Sequence, residues 1–335
     1  VDFLLRGLNP YTQQYTWVYE HQPGISNYPS YTYFPGGMFA EVPFYILGSG
    51  NVRLGLAVAD IGTAVLIYLL ARPRLGAWPA RTVAAFWLLF LPGFQVALLL
   101  GVLDFFLLFW IALAVWLYTK GWLLGSALAA AMAFSTKQYG FLFAVPWGVL
   151  LLRPAVVSLA DKWRAGERGF HIFSTIPRKM WIPPAAEAGF AALVVLPLAV
   201  LSPRAFTDAT IGHFESKLPL AMLGTPQWNE SLAAQMVALG WVRVEDAARI
   251  FSIVFPLLLV VLLGLAIVKT RDAASALMWS ALLAGGVFFF NNLQVQFFYW
   301  RLVLLLFGLY YLMGTSAVTS PENAKTPRRQ DAKIS

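Results

Sequence analysis

Ile250-Phe251-Ser252-Ile253-Val254-Phe255-Pro256-Leu257-Leu258-Leu259-Val260-Val261-Leu262-Leu263-Gly264-Leu265-Ala266-Ile267-Val268 runs for nineteen residues without a charge. About 20 apolar residues in a helix cross the ~30 Å hydrocarbon core of a bilayer, so the stretch reads as a membrane span. In hydrocarbon a lone segment must satisfy its own backbone N–H and C=O groups, which a helix does and a lone strand does not. Working outward, eight more apolar runs read the same way: Arg53 to Ala71, Arg81 to Leu99, Val102 to Tyr118, Trp122 to Thr136, Tyr139 to Leu152, Pro184 to Leu201, Ala273 to Phe290 and Val295 to Met313. Composition agrees. With 59% hydrophobic and 12% charged residues and a mean hydropathy of +0.67, the 335-residue chain is excluded from the water-soluble globules. The expected fold class is an all-α polytopic membrane protein.

The absence of cysteine removes disulfides, thiolate metal sites and cysteine nucleophiles together. His21, His171 and His213 are too scattered to suggest a metal cluster, so neither a metal nor another cofactor is expected. The net charge of +8 fits membrane topology better than nucleic acid. A cytoplasmic C-terminus places 16 of the 24 basic residues on the inner side, as the positive-inside rule demands. The organisation that follows is an extracytoplasmic first loop, 1–52; a five-span bundle, 53–152; a basic cytoplasmic loop, 153–183; a four-span bundle, 184–316, with an outer loop 202–249; and a disordered cytoplasmic tail, 317–335. The basic loop is expected to lie near anionic headgroups, so membrane lipids are partners. Within the first loop, Phe34 to Gly48 is apolar but short and carries Glu41 and Pro43, so it reads as a juxtamembrane or re-entrant element bordering an outer cavity. The sequence starts at Val1 with no initiator methionine, signal peptide or first span, and reads as N-terminally incomplete.

One lysine stands out in Ser135-Thr136-Lys137-Gln138-Tyr139-Gly140, at a span boundary on the outer side and against the charge bias. A cation there is costly unless it meets an anion, a carbonyl or water, which makes it a functional candidate. The competing explanation is a lysine snorkelling to the interface. The same face receives Asp2, Tyr11, Glu20, Tyr33, Asp104, Gln138, His213, Asn229, Gln296 and Arg301. Aromatic faces beside amides and carboxylates suit a sugar; an interfacial aromatic belt is the plainer alternative. Asp60, in mid-span, reads as a structural hydrogen-bonding residue, because an intramembrane carboxylate is usually paired.

The order Gly7-Leu8-Asn9-Pro10-Tyr11, Tyr33-Phe34-Pro35, Arg53 opening a span, Gly101-Val102-Leu103-Asp104, Thr136-Lys137, Pro146 and Asn229-Glu230-Ser231-Leu232 resembles the GT-C superfamily. Within it, the chain is most similar to polyprenol-phosphate-mannose-dependent mannosyltransferases and relatives of the DUF2029 type. Where that pattern has a second proline after Pro35, this chain has Gly36. The resemblance implies a GT-C-like helix bundle in the cytoplasmic membrane with juxtamembrane helices in the first outer loop and an extracytoplasmic active site. It also implies a polyprenyl-phosphate sugar as donor substrate, a glycolipid, lipoglycan or glycan as acceptor, and no nucleic acid. A first-loop carboxylate would be the general base: Asp2 is the candidate in this chain, although the family spacing places the base upstream of Val1; Glu20 comes second, and Glu41 is a structural partner. Lys137 and Arg301 would bind the donor phosphate. Tyr11, Glu20, Tyr33, Asp104, Gln138, His213, Asn229 and Gln296 would line the substrate cavity. On this reading Lys137→Met spares the fold. A transporter or flippase of lipid-linked or polyanionic substrates, or a non-catalytic scaffold subunit, are the alternatives.

Overall fold

The structure, a computed structural model, describes residues 1–13, 33–89, 103–167, 169, 171–212, 232–290 and 297–314. Among them every regular element is helical, and no strand occurs. The N-terminal segment gives α1 (Asp2–Leu5) and α2 (Gly36–Leu47). Then come α3 (Arg53–Leu75), α4 (Ala77–Leu89), α5 (Asp104–Thr119) and α6 (Leu123–Thr136). A 3₁₀ turn (Gln138–Gly140) leads into α7 (Phe141–Arg164), followed by α8 (His171–Thr175) and α9 (Arg178–Leu201). After α10 (Pro203–Thr207), a π turn (Asp208–Gly212) and α11 (Leu232–Ala238), the chain closes with α12 (Val244–Lys269), α13 (Ala273–Phe290) and α14 (Phe297–Gly314).

Four described helices are long and apolar enough to cross a membrane: Arg53–Leu75, Gln138–Arg164, Arg178–Leu201 and Val244–Lys269. Asp104–Thr119, Leu123–Thr136, Ala273–Phe289 and Trp300–Gly314 are shorter apolar helices. The chain is therefore a helical membrane protein. The run that opened the sequence reading lies in α12, whose surface is almost wholly exposed, as suits a helix facing lipid.

Small residues decide the centre of the bundle. Ala127, Ala129, Ala130, Ala131 and Ala133 on α6 are all buried, and α6 packs against α5, α7 and α9. Hydrocarbon gives no hydrophobic drive between helices, so close backbone approach through small side chains supplies the dispersion contacts that hold them. Leu107, Leu108 and Ile111 of α5, Phe143 and Trp147 of α7, and Leu277, Leu283 and Leu306 of α13 and α14 complete this core.

Several boundaries differ from the hydropathy reading. The segment expected at Arg81 to Leu99 is helical from Ala77 to Leu89, and its remainder lies outside the described residues. Much of the stretch expected as a basic loop, 153–183, is helix: α7 runs on to Arg164 and α9 starts at Arg178. Leucine, alanine, lysine and arginine all favour helix, so a helix continues where hydropathy falls. The element expected at Phe34 to Gly48 is the helix α2, laid against α3 and α6.

The glycine at position 36 has a structural reason. A Cβ at Gly36 would stand 2.6 Å from the Ser135 carbonyl carbon and oxygen, so only glycine lets α2 sit on the end of α6. We expect Gly36→Ala to destabilise the protein by about 1–3 kcal/mol, as overpacking does. Gly189→Ala, with nothing within 4 Å of the new methyl group, should leave thermal stability in detergent unchanged.

Candidate functional site

Three segments far apart in sequence meet beside α2. The Asn9 side chain accepts a hydrogen bond from the Tyr11 backbone N–H at 3.0 Å and donates to the Ser202 hydroxyl at 3.1 Å, tying the Gly7–Tyr11 turn to the entrance of α10. The Tyr11 hydroxyl donates to the Tyr33 carbonyl at 2.6 Å. Tyr11 packs edge-on against Phe206, Phe34 stacks on the same ring, and Phe34 also meets Phe134 at the end of α6. Tyr11 and Tyr33 are thus brought together.

Immediately beyond this cluster the chain turns from α6 into the 3₁₀ segment at Lys137, whose backbone is extended (φ −151°, ψ 147°). The Ser135 and Thr136 hydroxyls donate to the carbonyls of Ala131 and Met132, so the last turn of α6 keeps its polar groups satisfied. A side chain at Gly140 would drive into the Ala133 carbonyl, which fixes the tightness of the corner. The corner aims Lys137 inward. Its ammonium donates to Asp104 Oδ2 at 2.7 Å, and the lysine is 2% exposed. The Tyr33 and Tyr139 rings stand 4.9 and 5.4 Å from the ammonium, cation–π contacts that favour the charged form. The Gln138 amide, next in sequence, donates to the Thr210 carbonyl at 3.3 Å.

A second buried pair lies deeper. One Nη of Arg301, on α14, donates to Asp60 Oδ1 at 2.7 Å and to the Trp87 carbonyl at 3.2 Å, while the Trp87 indole N–H donates to the same Asp60 oxygen at 2.8 Å. The guanidinium lies over Trp87 at 4.3 Å and Phe105 at 5.3 Å. Phe105 follows Asp104 on α5, so the two pairs are neighbours across one residue of helix. Asp60 has the hydrogen-bonded, structural role expected of it.

Lys137 and Arg301 are each paired with a buried carboxylate. Asp104, expected as a lining residue, is an ion-pair partner. Asp2 lies on the surface helix α1, half exposed and paired with Arg6 at 3.0 Å. We expect Asp2→Asn to leave stability nearly unchanged, because exposed pairs one helical turn apart contribute little. Glu20, His213, Asn229 and Gln296 lie outside the described residues. Among the described residues no group of three histidines, aspartates or glutamates is placed to hold a metal.

The residue that sequence reasoning undervalued is Glu41. On α2 it follows Met38 by three positions and precedes Phe44 by three, so the three share a face. Met38 is buried with Tyr11 and Phe206, and Phe44 packs against Leu56 and Phe106. Glu41 thus lies between the Tyr11 cluster and the one carrying Phe105. It is 7% exposed, and burial pushes its carboxyl up to about 7. A near-neutral proton affinity is what a general base requires.

No protein-family model, no curated protein and no solved structure matches the chain.

Proposed function

We propose that the protein is a membrane glycosyltransferase of GT-C type, moving a hexose, with mannose the first candidate, from a polyprenyl-phosphate sugar to a glycolipid, lipoglycan or glycan acceptor on the extracytoplasmic side. The observation that carries this reading is convergence. The Gly7–Tyr11 turn, Tyr33, Asp104, Lys137 and the Phe206–Thr210 segment meet around one buried charge walled by tyrosine rings, with a carboxyl that titrates near neutrality on the adjoining helix. The first four of these also belong to the stretches that carry the resemblance to the superfamily.

In the proposed reaction Glu41 takes the proton of the acceptor hydroxyl as its oxygen attacks the anomeric carbon. The bond from that carbon to the phosphate oxygen breaks, and polyprenyl phosphate leaves with the electron pair. One displacement inverts the anomeric centre and needs no second carboxylate as nucleophile, unlike a retaining glycosidase. Asp104 and the two rings hold the Lys137 ammonium in place, so a cation is already oriented toward developing phosphate charge, and such preorganised groups are the strongest catalytic contributors. Arg301 is given no part at the phosphate, since Asp60 occupies it.

The test is chemical. Purified protein in detergent, given polyprenyl-phosphate mannose labelled in the sugar and a lipid extract as acceptor, should yield a labelled glycolipid and unlabelled polyprenyl phosphate. In liposomes, movement of intact donor between leaflets without any new glycosidic product would favour a flippase and overturn the proposal.

A further inference from the structure

Away from the Lys137 centre, α3, α4 and α14 enclose an apolar groove of about 370 Å³. Ile67 and Ala71 of α3, Phe86 of α4, and Gly308 and Leu312 of α14 line it, and Arg301 closes one end. Phe86, Leu304 and Tyr311 are exposed along its rim, so in a bilayer it opens to hydrocarbon. Positions 301, 304, 305, 308, 309 and 312 of α14 all contribute, the i, i+3, i+4 stripe of one helical face. The stripe covers twelve residues, eleven steps of ~1.5 Å, roughly 16 Å. That is about half of a ~30 Å hydrocarbon core, the depth of one leaflet.

The closed end has an unmet need. Arg301 is 2% exposed, yet its Nε and remaining Nη have no hydrogen-bond partner. Its charge is already balanced by Asp60, whose second oxygen is likewise unpaired. What these donors lack is a neutral acceptor. A phosphate would bring negative charge against Asp60, whereas an ester carbonyl supplies lone pairs and no charge.

We infer that this groove binds a single ester-linked acyl chain of a bilayer glycerolipid, with its ester carbonyl at Arg301. The chain lies in the leaflet at the Arg301 end, and the site is independent of the transferase reading. It would make that lipid a resident part of the α3–α4–α14 interface, next to the Asp60–Arg301 pair.

The test uses the whole protein in nanodiscs containing a phosphatidylcholine with a diazirine midway along one acyl chain. After illumination, labelled peptides are mapped. Labelling of the 301–312 face should exceed that of the lipid-facing surface of α12, and Gly308→Phe should abolish the excess. Gly308 has open space around its Cβ, so this variant should fold. An ether-linked analogue lacking the carbonyl should label about tenfold less, the value of a hydrogen bond to a charged group. Labelling no higher than on α12, or indifferent to Gly308→Phe, overturns the site. Equal labelling by the ether lipid overturns the carbonyl assignment, and displacement of the glycerolipid by polyprenyl phosphate gives the groove to a different lipid.

Discussion

Lys137→Met should cost the protein about 3–5 kcal/mol of stability, because removing one member of a buried pair leaves the other as an uncompensated charge. Asp104 would be that charge, 5% exposed and stripped of its partner at 2.7 Å. This reverses the expectation from sequence, in which an outer lysine serving a phosphate could be lost without harm to folding. Restoring neutrality separates the two roles of the residue. In Lys137→Met with Asp104→Leu the buried charge is gone and thermal unfolding in detergent should return toward wild type, while sugar transfer stays lost. A double variant that regains both fold and transfer would reduce the pair to a structural strut. Unchanged stability in the single variant would mean that Asp104 finds another partner.

Glu41→Gln should lower transfer by about 10²–10⁴, the usual contribution of general-base catalysis, with expression intact. The pH dependence gives an independent signature. A base must be ionised to accept a proton, so wild-type transfer should rise as pH passes through about 7, and the residual activity of Glu41→Gln should lack that rise. Stability runs the opposite way. The folded carboxyl holds its proton up to about 7 whereas the ordinary glutamate value is 4.5, so the contribution to stability is complete below 4.5 and is lost as pH rises through about 7. The loss amounts to about 3 kcal/mol at most, and Glu41→Gln should abolish it. A variant that loses the stability dependence but keeps full transfer would make Glu41 a buried structural acid.

What the sequence disclosed, and what it withheld, follows from the range of each interaction. Helices such as α3 and α12 were legible because hydrocarbon demands local apolarity and local backbone satisfaction, both written in consecutive residues. Lys137 and Asp60 were conspicuous for the same reason, as charges within or beside apolar runs. Their partners were not legible. Asp104 is 33 residues from Lys137 and Arg301 is 241 from Asp60, and a pair closed by packing leaves no periodic trace in one sequence. Arg301 therefore read as a phosphate ligand when its charge was already balanced by Asp60. Glu41 read as a structural residue because burial on α2 is set by its docking on α6, through Gly36 and Ser135, and not by the helix alone. The continuation of α7 to Arg164 was missed because hydropathy measures the solvent around a helix, not the helix itself.

The measurement that bears most directly on an outer-face transferase is the sidedness of transfer in sealed right-side-out vesicles. A membrane-impermeant, short-chain polyprenyl-phosphate mannose and a soluble acceptor are supplied from outside, with the Glu41→Gln protein as control. The account predicts a mannosylated acceptor in the outer medium without permeabilisation, formed by wild type and not by the control. Product that appears only in inverted or permeabilised vesicles would contradict it.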